Sequence, residues 1–213
     1  RYTFMVPDIV DLEGEHDVVA VALLDESFNA TPGVVLGTVT FDFTPPKVSA
    51  LQPPADAVSP VGNNMVTTLS FAVNEEMTVD EDTGSVPEAA RPVIRLMREP
   101  ENPTEDNPLE PVLDSQNQPV LLTYQSYNKD TRRFTYELSV GAELGAGPTS
   151  VEIVATDGAG NSRTQVFSNV WDFDFTSPSI VVETLLPQQG DAAGPDAIVI
   201  VTFTASETLG STP

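Results

Sequence analysis

The segment Phe41-Asp-Phe-Thr-Pro-Pro46 recurs as Phe173-Asp-Phe-Thr-Ser-Pro178, an offset of 132 residues. Fixed-period self-similarity marks chains built from repeated structural units, so it constrains the fold before any local pattern does. Applied to the whole chain, this offset aligns residues 1–81 with 133–213 without a gap and gives 15 identities in 81 pairs. Arg1-Tyr-Thr-Phe4 falls on Arg133-Phe-Thr-Tyr136, Asp25 and Asn29 on Asp157 and Asn161, and Phe71 and Glu75 on Phe203 and Glu207. Many other pairs exchange one apolar residue for another, as Val48 with Ile180 and Leu69 with Val201. The expected organisation is the end of one unit (1–43), a complete unit (44–175) and the start of a third (176–213). Neither terminal piece has a counterpart of residues 82–132, and no signal peptide is in view at Arg1. The chain is therefore expected to be a window of a longer array.

Within the complete unit the periodicity is that of strands. Met65, Leu69, Phe71 and Val73 occupy alternate positions, as do Phe134, Tyr136 and Leu138, Val151, Ile153 and Ala155, and Phe173 and Phe175. Such alternation is the signature of strands with one buried face. Further strands are expected at 47–51, 92–97, 119–124 and 163–170. About seven short strands separated by turn residues predict an all-β fold of antiparallel β-sandwiches. No segment carries a capped helical stripe.

The run Val151-Glu-Ile-Val-Ala-Thr-Asp-Gly-Ala-Gly-Asn161, followed by Phe173-Asp-Phe-Thr-Ser-Pro178, resembles the end of one bacterial Ig-like domain and the entry to the next. Leu69-Ser-Phe-Ala-Val-Asn-Glu-Glu-Met77 is similar to the second strand of such domains and the acidic turn after it. The resemblance is to tandem bacterial Ig-like repeats of large secreted or cell-surface proteins, and it covers nearly the whole chain. It departs at 98–118, a Pro-, Glu- and Asn-rich stretch expected to be an exposed loop. It implies tandem Ig-like sandwiches acting as stalks, spacers or binding tips.

The side-chain chemistry excludes several functions. With 32 acidic and 9 basic residues the formal net charge is -23. That disfavours binding to nucleic acid, which relies on clustered Lys and Arg, and docking on anionic membranes. No apolar run approaches the ~20 residues of a membrane span. The absence of Cys removes disulfides, thiol nucleophiles and thiolate metal sites. His16, the one His, lies in the acidic run Glu13-Gly-Glu-His-Asp17 and is expected to be a solvated loop residue. A catalytic triad or two-His metal site needs partners that a single His lacks. Gly141-Ala-Glu-Leu-Gly-Ala-Gly147 precedes a strand, so its glycines are expected to serve turns, not a phosphate cradle. Paired carboxylates, Glu75-Glu76 and Asp80-Glu81-Asp82, lie in turns without the aromatic platforms usual in glycoside hydrolysis.

In an Ig-like sandwich the loops after the second, fourth and sixth strands cluster where the chain enters. Here those loops are 74–91, 125–131 and 157–162, and the incoming linker is 41–46. Asp42, Glu75, Asp157 and Asn161, all retained across the offset, should then meet at one junction. Asp157 and Asn161 would also suit a tight turn by themselves. Gathered carboxylates repel, and a hard divalent cation relieves that repulsion. The expected cofactor is Ca²⁺ at Asp42, Glu75, Asp157 and Asn161, with Glu76 and Asp80 as substitutes. The expected function is a non-enzymatic structural or adhesive module of an extracellular or cell-surface bacterial protein: a stalk, adhesin or filament component. Its expected partners are neighbouring repeats, other copies in a filament, or a cell-surface protein or glycan. Two alternatives are an accessory glycan- or protein-binding module attached to a secreted enzyme, and a hydrolase using the acidic turns.

Overall fold

In a computed structural model the described residues are all-β, apart from short 3₁₀ turns such as Glu88–Ala90 and Ala142–Leu144. The structure describes the chain except residues 1–11, 21–22, 32, 56–58, 78, 81–82, 105–107, 188–193, 197 and 208–213. The Arg1–Phe4 match and the carboxylates of Glu81 and Asp82 therefore lie outside the described residues. Two compact units are present, Arg1–Asp174 and Phe175–Pro213. The first holds β1 (Gly14–Ala20), β2 (Leu23–Leu24), β3 (Ala30–Thr31), β4 (Val34–Phe41), β5 (Val48–Gln52), β6 (Ser59–Val61), β7 (Val66–Val73), β8 (Val93–Arg98), β9 (Glu110–Pro111), β10 (Thr123–Asn128), β11 (Arg133–Ser139), β12 (Gly147–Thr156) and β13 (Ser162–Phe173). The second holds β14 (Ile180–Pro187) and β15 (Val199–Ala205).

From β5 onward the first unit is sandwich-like. A four-stranded sheet runs β10-β11-β7-β5 and a five-stranded sheet runs β6-β13-β12-β8-β9. All neighbours are antiparallel except β6 and β13. Alternation decides which face is buried: Leu69, Phe71, Val73, Phe134, Tyr136 and Leu138 from the first sheet, and Ile94, Leu96, Val151 and Ile153 from the second. Each large side chain so buried contributes roughly 1.5–3 kcal/mol. A bulge after Thr149 places three consecutive residues inside, and the two polar ones are satisfied. The Thr149 hydroxyl donates to the Trp171 carbonyl, and Ser150 Oγ accepts from the Asn169 N–H. Gln165 on β13 hydrogen-bonds both the N–H and the C=O of Val48 on β5, tying one sheet to the other. Segment 74–92 connects β7 to β8 and is pinned by Arg91. Its Nε donates to the Val86 carbonyl, and its guanidinium lies 4.1 Å from the Tyr124 ring centre.

Three expectations are corrected. The strand expected at 119–124 begins beside β8, where Arg95 pairs with Leu121 and the Leu96 and Leu122 N–H groups donate to the Val120 and Ile94 carbonyls, and it continues in the other sheet as Thr123–Asn128, taking much of the expected 125–131 loop. Within β10 a bulge between Tyr124 and Ser126 breaks the period of two. Both Tyr124 and Tyr127 thereby reach Phe134, at ring separations of 6.4 and 4.6 Å. The stretch 98–118 is not simply a loop. Glu110–Pro111 pairs with Met97–Arg98, Val112 is buried, and Asp114 Oδ1 closes a turn on the N–H groups of Gln116 and Gln118. His16 lies within β1, half-buried, with Nε2 2.8 Å from the Leu12 carbonyl and its ring 5.5 Å from that of Phe41. Pairing of β1 with β4 draws this acidic run into a strand.

The second unit, taken alone, is a β14–β15 hairpin. Its pairs Ile180↔Ala205, Val181↔Thr204 and Thr184↔Thr202 are those of β5 and β7 shifted by 132 residues: Val48↔Val73, Ser49↔Ala72 and Gln52↔Ser70. In the first unit, Val19↔Val35 of β1 and β4 likewise corresponds to Val151↔Phe167 of β12 and β13. Beyond their bulges the latter two ladders differ by one residue, His16 facing Val39 where Pro148 faces Asp172.

Candidate metal centre

The site lies where three chain passages share one end of the sandwich-like core. β5 and β7 are antiparallel neighbours, so the linker entering β5 lies beside the residues leaving β7. Asn74 latches the two: its N–H donates to the Lys47 carbonyl, and its Oδ1 accepts the Lys47 N–H at 2.5 Å. The β10–β11 turn reaches the same end, where Arg132 Nη1 donates to the Asn74 carbonyl. The β12–β13 turn closes at Asp157. Oδ1 of Asp157 accepts the N–H groups of Ala159 (2.8 Å) and Asn161 (2.9 Å), and Oδ2 accepts Asn161 Nδ2 (2.9 Å). Asn161 Nδ2 also donates to the main-chain carbonyl of Asp42, again at 2.9 Å. Asp42 Oδ1 in turn accepts the Thr44 N–H.

These restraints bring Asp42, Glu75 and Asp157 together, each with a carboxylate oxygen within 4.8 Å of the others. Charges at that separation repel by roughly 1–3 kcal/mol per pair, depending on how much water screens them. Glu75 feels this repulsion. Burial first, then the negative charges of Asp157 and Asp42, push its carboxyl above the ordinary glutamate value; a hydrogen bond from Asn74 and the charge of Arg163 oppose the shift. Oε1 of Glu75 is buried without a hydrogen-bond partner. In the second unit, Oε1 of Glu207 is likewise buried without one.

Of the six residues read from the sequence, three form this triad. Asn161 stands beside it, with its amide nitrogen engaged as a donor. Glu76 is ion-paired with Lys129 at 3.0 Å. Asp80 closes its own turn, accepting the N–H and hydroxyl of Thr83. The sequence reading missed Asn74, whose counterpart under the offset is Ser206. The latch nevertheless recurs in the second unit: the Ser206 N–H donates to the Ser179 carbonyl, and Ser206 Oγ accepts the Ser179 N–H. Asn and Ser share a short side-chain acceptor, a signal visible only when residues are compared by donor and acceptor type.

The donor set fits a hard cation. Oxygens bound to one Ca²⁺ at 2.3–2.6 Å are separated by at most about 5 Å, so the triad spacing is compatible with a shared ion. Backbone carbonyls and water would complete six to eight ligands. Compared with known proteins, the chain matches no family model and no curated sequence. Among the described residues no helix is long and apolar enough to cross a membrane.

Proposed function

We propose that the chain is a non-enzymatic part of an array of Ig-like β-sandwiches in an extracellular or cell-surface protein, serving as a stalk, adhesin or filament module, with Ca²⁺ stiffening its junctions. The observation that carries this reading is the recurrence of β5–β7 pairing in β14–β15, residue for residue at an offset of 132. A chain that repeats its strand register as well as its residues is building successive copies of one module. The acidic triad supports the calcium role because one ligand lies on the linker and two lie in loops of the unit it enters. A shared ion would restrain the linker against the loops, and the Pro45-Pro46 pair would limit bending further. The net charge of -23 suits a long, exposed, self-repelling array.

The test is the melting of the whole chain in calcium and in chelator, followed by the fluorescence of Trp171, the single Trp. An ion bound only to the folded state stabilises it by ~2.7 kcal/mol when present at 100 times its Kd. For a chain of this size that raises Tm by about 5–10 °C. Glu75→Gln and Asp157→Asn should each abolish the gain. Equal Tm values in calcium and chelator for the wild type would remove the ion from the proposed function.

A further inference from the structure

The sheet β6-β13-β12-β8-β9 turns one face to the core and the other outward, and the pleat decides which residues lie on each. The ladders set out the rows. Thr164, Val154 and Val93 stand side by side across β13, β12 and β8. The next row holds Val166, Glu152 and Arg95, with Leu121 beyond Arg95. Their chain neighbours Ile153, Ile94 and Leu122 are buried, so these two rows point outward. Val93 is 43 % exposed, Val166 46 % and Leu121 53 %. Apolar side chains gathered on one open face mark a contact surface.

The charge on this face selects the partner. The charged side chains of the two rows are Arg95 and Glu152, and they hold each other, Nη1 to Oε1 at 2.5 Å. The face is thus neutral on a chain of net charge -23. Two such chains repel wherever acidic surfaces approach, and least where each presents no net charge. A basic partner would gain little, because Glu152 is already held. One cation beside one anion is also self-complementary. Turned about a two-fold axis, Arg95 of each copy comes opposite Glu152 of the other, and the four charges alternate in sign. We propose that the outward face of β13, β12 and β8 is a homodimer contact, on which a second copy of this chain packs the same face, with Val93, Leu121, Val154 and Val166 around a quartet of Arg95 and Glu152 side chains.

Four apolar side chains per copy put this contact at the small, weak end of protein interfaces. Their exclusion of water strengthens the charge quartet they surround. The contact is isologous and closes at two copies, so it joins chains side by side without extending them. Under the 132-residue offset Ala20 stands at the place of Glu152, so the anion is not a feature of the repeat at large. The pairing would therefore set this unit opposite the same unit of the second copy.

The test is sedimentation of the 213-residue protein from micromolar to millimolar concentration. The wild type should pass from monomer to dimer and no further. Leu121→Glu, at an exposed position, brings added acid into the contact and should weaken the dimer at least about tenfold. Ser139→Glu, exposed at the end of β11 in the other sheet, should leave it unchanged. Arg95→Glu and Glu152→Arg each set like charges opposite one another and should each be monomeric. Mixed, those two variants should form a one-to-one dimer, although both keep a large negative net charge. The fluorescence of the buried Trp171 reports that each variant is folded, and if a charge variant does not fold, Leu121→Glu still decides. A monomeric wild type, growth beyond the dimer, a dimer that Leu121→Glu does not weaken, or folded charge variants that fail to pair when mixed would overturn the proposal. None of these outcomes depends on calcium, so the melting test of the proposed function stands apart from this one.

Discussion

The side-chain amide of Asn161 donates to the main-chain carbonyl of Asp42 at 2.9 Å across 119 residues of sequence. The same nitrogen holds the Asp157 carboxylate, so one amide ties the β12–β13 turn to the linker that enters β5. The turn around Asp25 and Asn29 has the same internal bonds: Asp25 Oδ1 accepts the Ser27 and Asn29 N–H groups, and Oδ2 accepts Asn29 Nδ2. The bonds described for Asn29 stay within its loop. What distinguishes Asn161 is its reach to the linker.

Asn161→Ala should therefore cost more than Asn29→Ala. Losing the two bonds made by the Asn161 side chain should destabilise the first unit by about 1–3 kcal/mol, lowering Tm by several degrees in chelator. Asn29→Ala should cost well under half of that. Equal costs would show that the linker contact contributes nothing.

Stability should depend on pH through Glu75. Its carboxyl is raised above the ordinary value of 4.5 in the fold, so on raising the pH the unfolded state loses the proton first. The resulting stabilisation is complete below the ordinary glutamate range and is lost as pH rises through the raised folded value. In chelator at neutral pH, Glu75→Gln should thus be more stable than the wild type. In saturating calcium the order should reverse, because the variant loses a ligand. Melting curves of both proteins under both conditions check the crossing.

Tyr136 sits in the core with its hydroxyl donating to the Pro92 carbonyl at 2.6 Å. Burial foremost, then the neighbouring Tyr124, push its phenol well above the ordinary tyrosine range. Tyr136→Phe should leave a buried carbonyl unsatisfied and cost about 1–2 kcal/mol. In an alkaline absorbance titration up to about pH 11, wild type and Tyr136→Phe should show equal amplitude while folded. A smaller amplitude in the variant would show that Tyr136 ionises like an exposed tyrosine.

Phe28 adopts φ 64° with 83 % of its surface exposed, at the position where the matching turn has Gly160 at φ 95°. A non-glycine residue in the left-handed region costs about 1–2 kcal/mol, partly offset in a Phe28→Gly change by the looser unfolded chain. Phe28→Gly should therefore stabilise its turn by about 0.5–1 kcal/mol. Gly160→Ala, which meets no neighbouring atom, should cost about 1 kcal/mol through backbone conformation alone. Native-state hydrogen exchange of the two turns would measure both.

The strands that were legible are those whose period of two runs unbroken. Leu69, Phe71 and Val73 alternate without interruption, and β7 lies there. The extension of β10 to Asn128 was missed because its bulge puts Tyr124 and Tyr127 on one partner, a spacing of three that no alternation rule anticipates. His16 looked solvated because its neighbours are acidic, yet pairing with β4 made it part of a strand. At the site, Asp42, Glu75, Asp157 and Asn161 stood out as identities retained across the offset. The Asn74 latch did not, because its counterpart Ser206 keeps an acceptor oxygen and not a residue name.

The amino-acid sequence by itself determined which segments extend and which of their faces turn inward, because the pleat imposes a period of two on every strand. It also carried the 132-residue offset that relates β14–β15 to β5–β7. Tertiary structure decided where the ladders slip, which strands become neighbours, and how close three carboxylates come. Those outcomes depend on packing and hydrogen bonds between different strands and loops, some of them more than a hundred positions apart. Asn161 meeting Asp42 is one such contact, and nothing local to either residue specifies it.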